Sequence, residues 1–66
     1  MNITAKELSG QHIGKTVTIP DKDATYTGRI TMITQRYDET AIQIRDRALY
    51  IVHVHDSTPI TIQEGQ

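Results

Sequence analysis

Isoleucine, valine and threonine make up 23 of the 66 residues, while phenylalanine and tryptophan are absent. β-Branched side chains are stiff about χ1 and suit a pleated sheet better than a helix, so the chain reads as all-β or mainly β. Cysteine is also absent, which removes disulfides, thiol catalysis, cysteine-type zinc sites and iron–sulfur clusters together. Folding a chain this short hides only about 60% of its unfolded surface. Such a core is compact, which favours a binding module over a deep-clefted enzyme, and neither catalytic residues nor a cofactor is expected.

Seven Lys and Arg residues against eight Asp and Glu give a formal net charge of −1. Phosphate neutralisation dominates affinity for nucleic acid, and this chain has no global positive field to supply it. No apolar run approaches the ~20 residues that span a bilayer. The opening Met1-Asn2-Ile3-Thr4-Ala5-Lys6 has no apolar signal segment. A cytoplasmic protein with no membrane partner is the expectation.

Along the chain, Thr4-Ala5-Lys6-Glu7 has the form of a capping box. It predicts one short helical turn that lays Ile3 and Leu8 over the core as a lid. Gly14 marks a tight turn or a close backbone approach before the first strand. Val17 and Ile19 then alternate with Thr16 and Thr18 in a half-buried strand that ends at Pro20. Asp21-Lys22-Asp23-Ala24 reads as its turn. Over 25–35 a longer strand puts Tyr26, Gly28, Ile30 and Met32 on one face and Thr25, Thr27, Arg29, Thr31 and Ile33 on the other, with Gly28 as its bend. After the loop Arg36-Tyr37-Asp38-Glu39, the strand over 40–45 points Ile42 and Ile44 inward. Asp46 turns the chain into Ala48–His55, which is apolar on both faces. Pro59 opens a last short edge strand over 59–63, and 64–66 read as a frayed tail. Residues 1–66 thus form one domain: a lead-in over 1–14, then five short antiparallel strands over 15–63. Closing them into a small barrel would remove exposed edges.

Ile13-Gly14-Lys15-Thr16-Val17-Thr18-Ile19, followed by Tyr26-Thr27-Gly28-Arg29-Ile30-Thr31-Met32-Ile33, resembles the first two strands of SH3-like and Sm-like small barrels. The resemblance covers about half the chain and implies a five-stranded SH3-like barrel. The Sm-like Asp and Asn after the second strand are replaced by Thr34-Gln35-Arg36-Tyr37, and the Ile-Arg-Gly motif is absent. The likeness therefore concerns backbone architecture and not RNA chemistry. Thr-Ala-Lys-Glu-Leu followed by Ile-Gly-Lys-Thr-Val also resembles small accessory proteins of actinobacterial bacteriophages. That likeness implies a protein that binds a host or phage factor.

Three sets of residues are candidates for function. Leu49, Ile51, His53 and His55 share one face of the strand Ala48–His55. A 66-residue monomer can scarcely cover a strand apolar on both faces. This set predicts an interface with a protein partner or a second copy of the chain, making a homo-oligomer. Arg29, Arg36, Arg45 and Arg47 with Tyr37 form an alternative nucleic-acid surface, because basic grooves and exposed rings hold single strands. Against it, Asp38, Glu39 and Asp46 lie beside the same arginines, and Tyr26 and Tyr50 read as core. Third, His53 and His55 bring two imidazoles to one side, where a metal would need a further ligand from His12 or Asp56. A lone His-x-His pair more often lines a solvated or interface face.

Overall fold

A computed structural model describes residues 1–63. Six strands form one antiparallel sheet: β1 (Asn2–Thr4), β2 (Thr16–Pro20), β3 (Thr25–Arg36), β4 (Glu39–Asp46), β5 (Ala48–His55) and β6 (Pro59–Ile62). Their spatial order is β1-β6-β2-β3-β4-β5. The mainly β class holds, but the closed five-stranded barrel does not: a sixth strand lies in the lead-in, and no ladder joins β1 to β5 among the described residues. The frayed tail expected at 64–66 lies outside those residues.

The extra strand escapes a reading based on alternation because three residues are too few to display a period. It is fixed by pairing, with Ile3 opposite Ile60 on β6. Two 3-10 turns follow, Ala5–Glu7 and Gly10–His12, where a single helical turn was expected. At the first, the Glu7 carboxylate accepts from the Thr4 amide at 2.9 Å and from the Thr4 hydroxyl at 3.0 Å. Those two bonds, the amide first, hold the Glu7 carboxyl below its ordinary value of 4.5. The lid forms as expected, with Leu8 buried and Ile3 packed on the core. Gly14 has φ of +90°, a conformation glycine adopts without a Cβ penalty.

One side of the curved sheet carries the core: Val17, Ile19, Ile30, Ile42, Ile44, Val52, Val54, Ile60 and Ile62, closed at one end by Ala5 and Leu8. The alternation along β2, β4 and β6 is as expected. Along β3 it breaks. Ile30 pairs with Ile44 and Met32 with Gln43, so Thr31 is the extra residue of a bulge. The Thr31 hydroxyl donates to the Gln43 carbonyl at 3.2 Å. Beyond the bulge the faces exchange: Ile33 packs against the core, and Met32, expected inward, is exposed. Gly28 has a steric role beside the bend expected of it. A Cβ there would lie 3.1 Å from the Arg45 carbonyl oxygen and 3.2 Å from the Ile44 Cβ, so its absence lets β3 and β4 approach.

The Asp21 turn matches its sequence signal, whereas Asp46, expected to turn the chain, ends β4 opposite Ala48 and leaves the turn to Arg47. Asp21 and Ala24 exchange backbone hydrogen bonds, and the Asp21 carboxylate accepts from the Lys22 amide at 2.8 Å. Asp38 and Arg47 supply the left-handed residues of the next two turns, with φ of 62° and 68°. No helix among the described residues is long and apolar enough to cross a membrane.

Candidate interaction edge and outer face

The strand β5 ends the sheet, and its pairing fixes which way each group points. Its register on β4 runs from Glu39 opposite His55 to Asp46 opposite Ala48. One step further, the Asp56 amide donates to the Asp38 carbonyl at 3.2 Å. Hydrogen-bonded and non-hydrogen-bonded pairs alternate along an antiparallel ladder. Thr40–Val54, Ile42–Val52 and Ile44–Tyr50 are therefore the hydrogen-bonded pairs. The amides and carbonyls of Leu49, Ile51 and His53 consequently face away from β4, toward the open edge.

Pro20, Asp21 and Lys22 line a depression with His53, Val54 and His55 at one end of this edge, and along the rest the edge lacks the usual protection. It is eight residues long, without proline, lysine or a bulge, whereas natural edges are shortened, charged or twisted away. At the other end of the sheet β1 has only three residues. Beside β5 lies an open groove of about 320 Å³, lined by Tyr50, Ile51, Val52 and His53 on one wall and Asp21 and Tyr26 on the other. Tyr26 is half-buried against the core, but Tyr50, also expected there, is exposed because no strand covers it.

The interface set Leu49, Ile51, His53 and His55 is exposed along β5, with Leu49 56% and Ile51 58% accessible. Val52 and Val54 turn the other way into the core. Apolar character on both faces thus has two causes, one face packed and the other open. The bulge adds a residue that alternation assigned to the core: Met32 joins Ile51, Ala41 and His53 around a shallow depression of about 170 Å³ on the outer face.

The imidazoles do not converge on a common point. His53 Nδ1 lies 2.7 Å from Glu39 Oε1, an ion pair when His53 is protonated, and both side chains are about half exposed. His55 Nδ1 accepts from the Ser57 amide at 3.1 Å, with the Ser57 hydroxyl 2.9 Å away. The two further candidates for ligation are engaged elsewhere. His12 is buried and its Nδ1 accepts from the Ser9 amide at 3.0 Å. Asp56 accepts at 2.8 Å from the hydroxyl of Thr40, which is fully buried. Among the described residues, no group of three or more His, Asp or Glu side chains is placed to hold a metal ion.

The arginine set divides. Arg29 stands directly opposite Arg45 across β3 and β4, and both line a depression with Arg47. Arg36 and Tyr37 lie at the other end of β3, seven residues from Arg29 or roughly 23 Å along a strand. Tyr37 is 93% exposed, but no arginine of the first group is near it. One continuous basic and aromatic surface does not form. Comparison with protein-family models, with curated proteins and with solved structures finds no match to this chain.

Proposed function

We propose that this chain is a non-enzymatic interaction module that self-associates through β5, a second copy laying its own β5 antiparallel along the open edge. The observation that carries this reading is an unguarded edge strand whose outward backbone groups and outward apolar side chains belong to the same residues, Leu49 and Ile51. Strand addition satisfies the backbone groups, while alternate side chains give specificity. A two-fold axis at Ile51 sets Ile51 against its counterpart and Leu49 against His53 of the other copy. The outward row Leu49, Ile51, His53, His55 has no permanent charge, and a net charge of −1 gives two copies little reason to repel. The row itself therefore brings no fixed charge against that of a second copy.

Sedimentation equilibrium from low to high micromolar concentration tests it, with wild type beside Ile51→Lys. Ile51 points outward, so the lysine leaves the core intact and places a charge where edge pairing must occur. Wild type is expected to dimerise with concentration and the variant to remain monomeric. A wild-type monomer throughout that range overturns self-association. A dimer unaffected by Ile51→Lys overturns the choice of edge.

A further inference from the structure

We infer that Arg29, Arg45 and Arg47 form a binding site for a compact multivalent oxyanion of the phosphate class. The inference does not depend on self-association, because it uses none of the outward residues of β5.

Arg29 and Arg45 are direct cross-strand partners. Side chains so placed have Cβ atoms about 4.5–5.5 Å apart, and like charges there are destabilising. The usual remedy is an acidic neighbour. Asp46 lines the same depression, yet no carboxylate lies within ion-pair distance of any of the three guanidinium groups among the described residues, and none of the three side chains makes a hydrogen bond there. Arg47 is held at the hairpin tip by a left-handed backbone, φ 68°, beside this pair.

Arg29, Arg45 and Arg47 thus line one shallow open depression together with Thr16, Thr27 and Gly28. Guanidinium is permanently charged, and its planar fork matches phosphate oxygens two at a time. An anion between Arg29 and Arg45 would replace their repulsion with two attractive contacts. The lining contains no aromatic ring, whereas single-stranded nucleic acid is held largely by base stacking. That selects a compact anion over a stacked polynucleotide.

Proton–nitrogen NMR titration of the full chain tests the site, using inorganic pyrophosphate, sodium chloride at matched ionic strength, and a short oligothymidylate. Pyrophosphate is expected to shift the amides of Gly28, Arg29, Arg45, Asp46 and Arg47 saturably. Arg45→Gln, an exposed substitution, should weaken binding about tenfold, as expected for loss of a hydrogen bond between charged groups. Shifts that sodium chloride reproduces, or an affinity unchanged in both Arg45→Gln and Arg29→Gln, overturn the site. Saturable shifts from oligothymidylate with none from pyrophosphate also overturn it, in favour of an extended phosphodiester backbone.

Discussion

Gln35, near the end of β3, donates from its side-chain amide to the Lys6 carbonyl at 2.8 Å and the Leu8 carbonyl at 3.1 Å, with the Ala5 carbonyl at 3.4 Å. The Ala5 carbonyl already accepts from the Leu8 amide within the turn at 3.2 Å, but the last carbonyls of such a turn have no partner inside it, and one distant side chain reaches those of Lys6 and Leu8. The lid formed by Ala5 and Leu8 is tied to the sheet by that contact. Gln35→Glu removes the donor and points a carboxylate at the same carbonyls. It should cost about 1–3 kcal/mol of stability, while Gln35→Ala should cost about 1 kcal/mol. Denaturant unfolding measures both, and equal midpoints for wild type and Gln35→Glu would refute the clamp.

Gly28→Ala should destabilise the sheet although φ at Gly28 is not positive. The added methyl meets the Arg45 carbonyl oxygen at 3.1 Å and the Ile44 Cβ at 3.2 Å, and the nearest obstacle is backbone within the ladder. Overpacking of this kind typically costs about 1–3 kcal/mol. Thermal unfolding of the variant decides between close approach and a simple bend. A bend would tolerate alanine without loss.

Ile42 and Ile51 are the same residue type on neighbouring strands, with opposite environments. Ile42 is fully buried, and Ile51 is 58% exposed. Ile42→Ala should cost about 2–5 kcal/mol through lost burial and a cavity. Ile51→Ala should leave the stability of the monomer within about 0.5 kcal/mol, the usual range for surface substitutions. Chemical denaturation at low protein concentration compares them, and similar losses at both sites would contradict the assignment of faces.

The lead-in should loosen at acid pH. The Thr4 amide and hydroxyl hold the Glu7 carboxyl below 4.5, so the folded lead-in favours the carboxylate. That contribution is fully present above the unfolded value and is lost as pH falls through the lower folded value. Glu7 is fully exposed, so the change should be local and global unfolding should not accompany it. NMR titration of the Glu7 carboxyl carbon and Thr4 amide should give one shared midpoint below 4.5. In Thr4→Ala, which keeps the backbone donor but removes the hydroxyl, the midpoint should rise partway. A wild-type midpoint at or above 4.5 would contradict the capping geometry.

Much of the architecture is legible in local patterns. Threonine alternating with isoleucine and valine determines which side chains of β2, β4 and β6 enter the core, because successive strand residues point to opposite faces. Asp21 and Gly14 announce their turns for equally local reasons. The outward row of β5 is legible too: alternation alone groups Leu49 and Ile51 with His53 and His55.

Tertiary structure decided what depends on residues far apart in sequence. The bulge at Thr31 exchanges the faces of Met32 and Ile33, and only the pairing of β3 with β4 places it there. The short strand Asn2–Thr4 exists because β6 receives it, and Tyr50 is exposed because no strand crosses the gap between β5 and Tyr26. Arg29 and Arg45 were visible as charges, but the register that sets them opposite each other was not. The sequence by itself determined a β-rich chain and the inward residues of β2, β4 and β6, since side-chain alternation is a property of each strand. Long-range pairing decided that the sheet stays open, which edge is unguarded and which arginines meet, since register depends on the partner strand as much as on the strand itself.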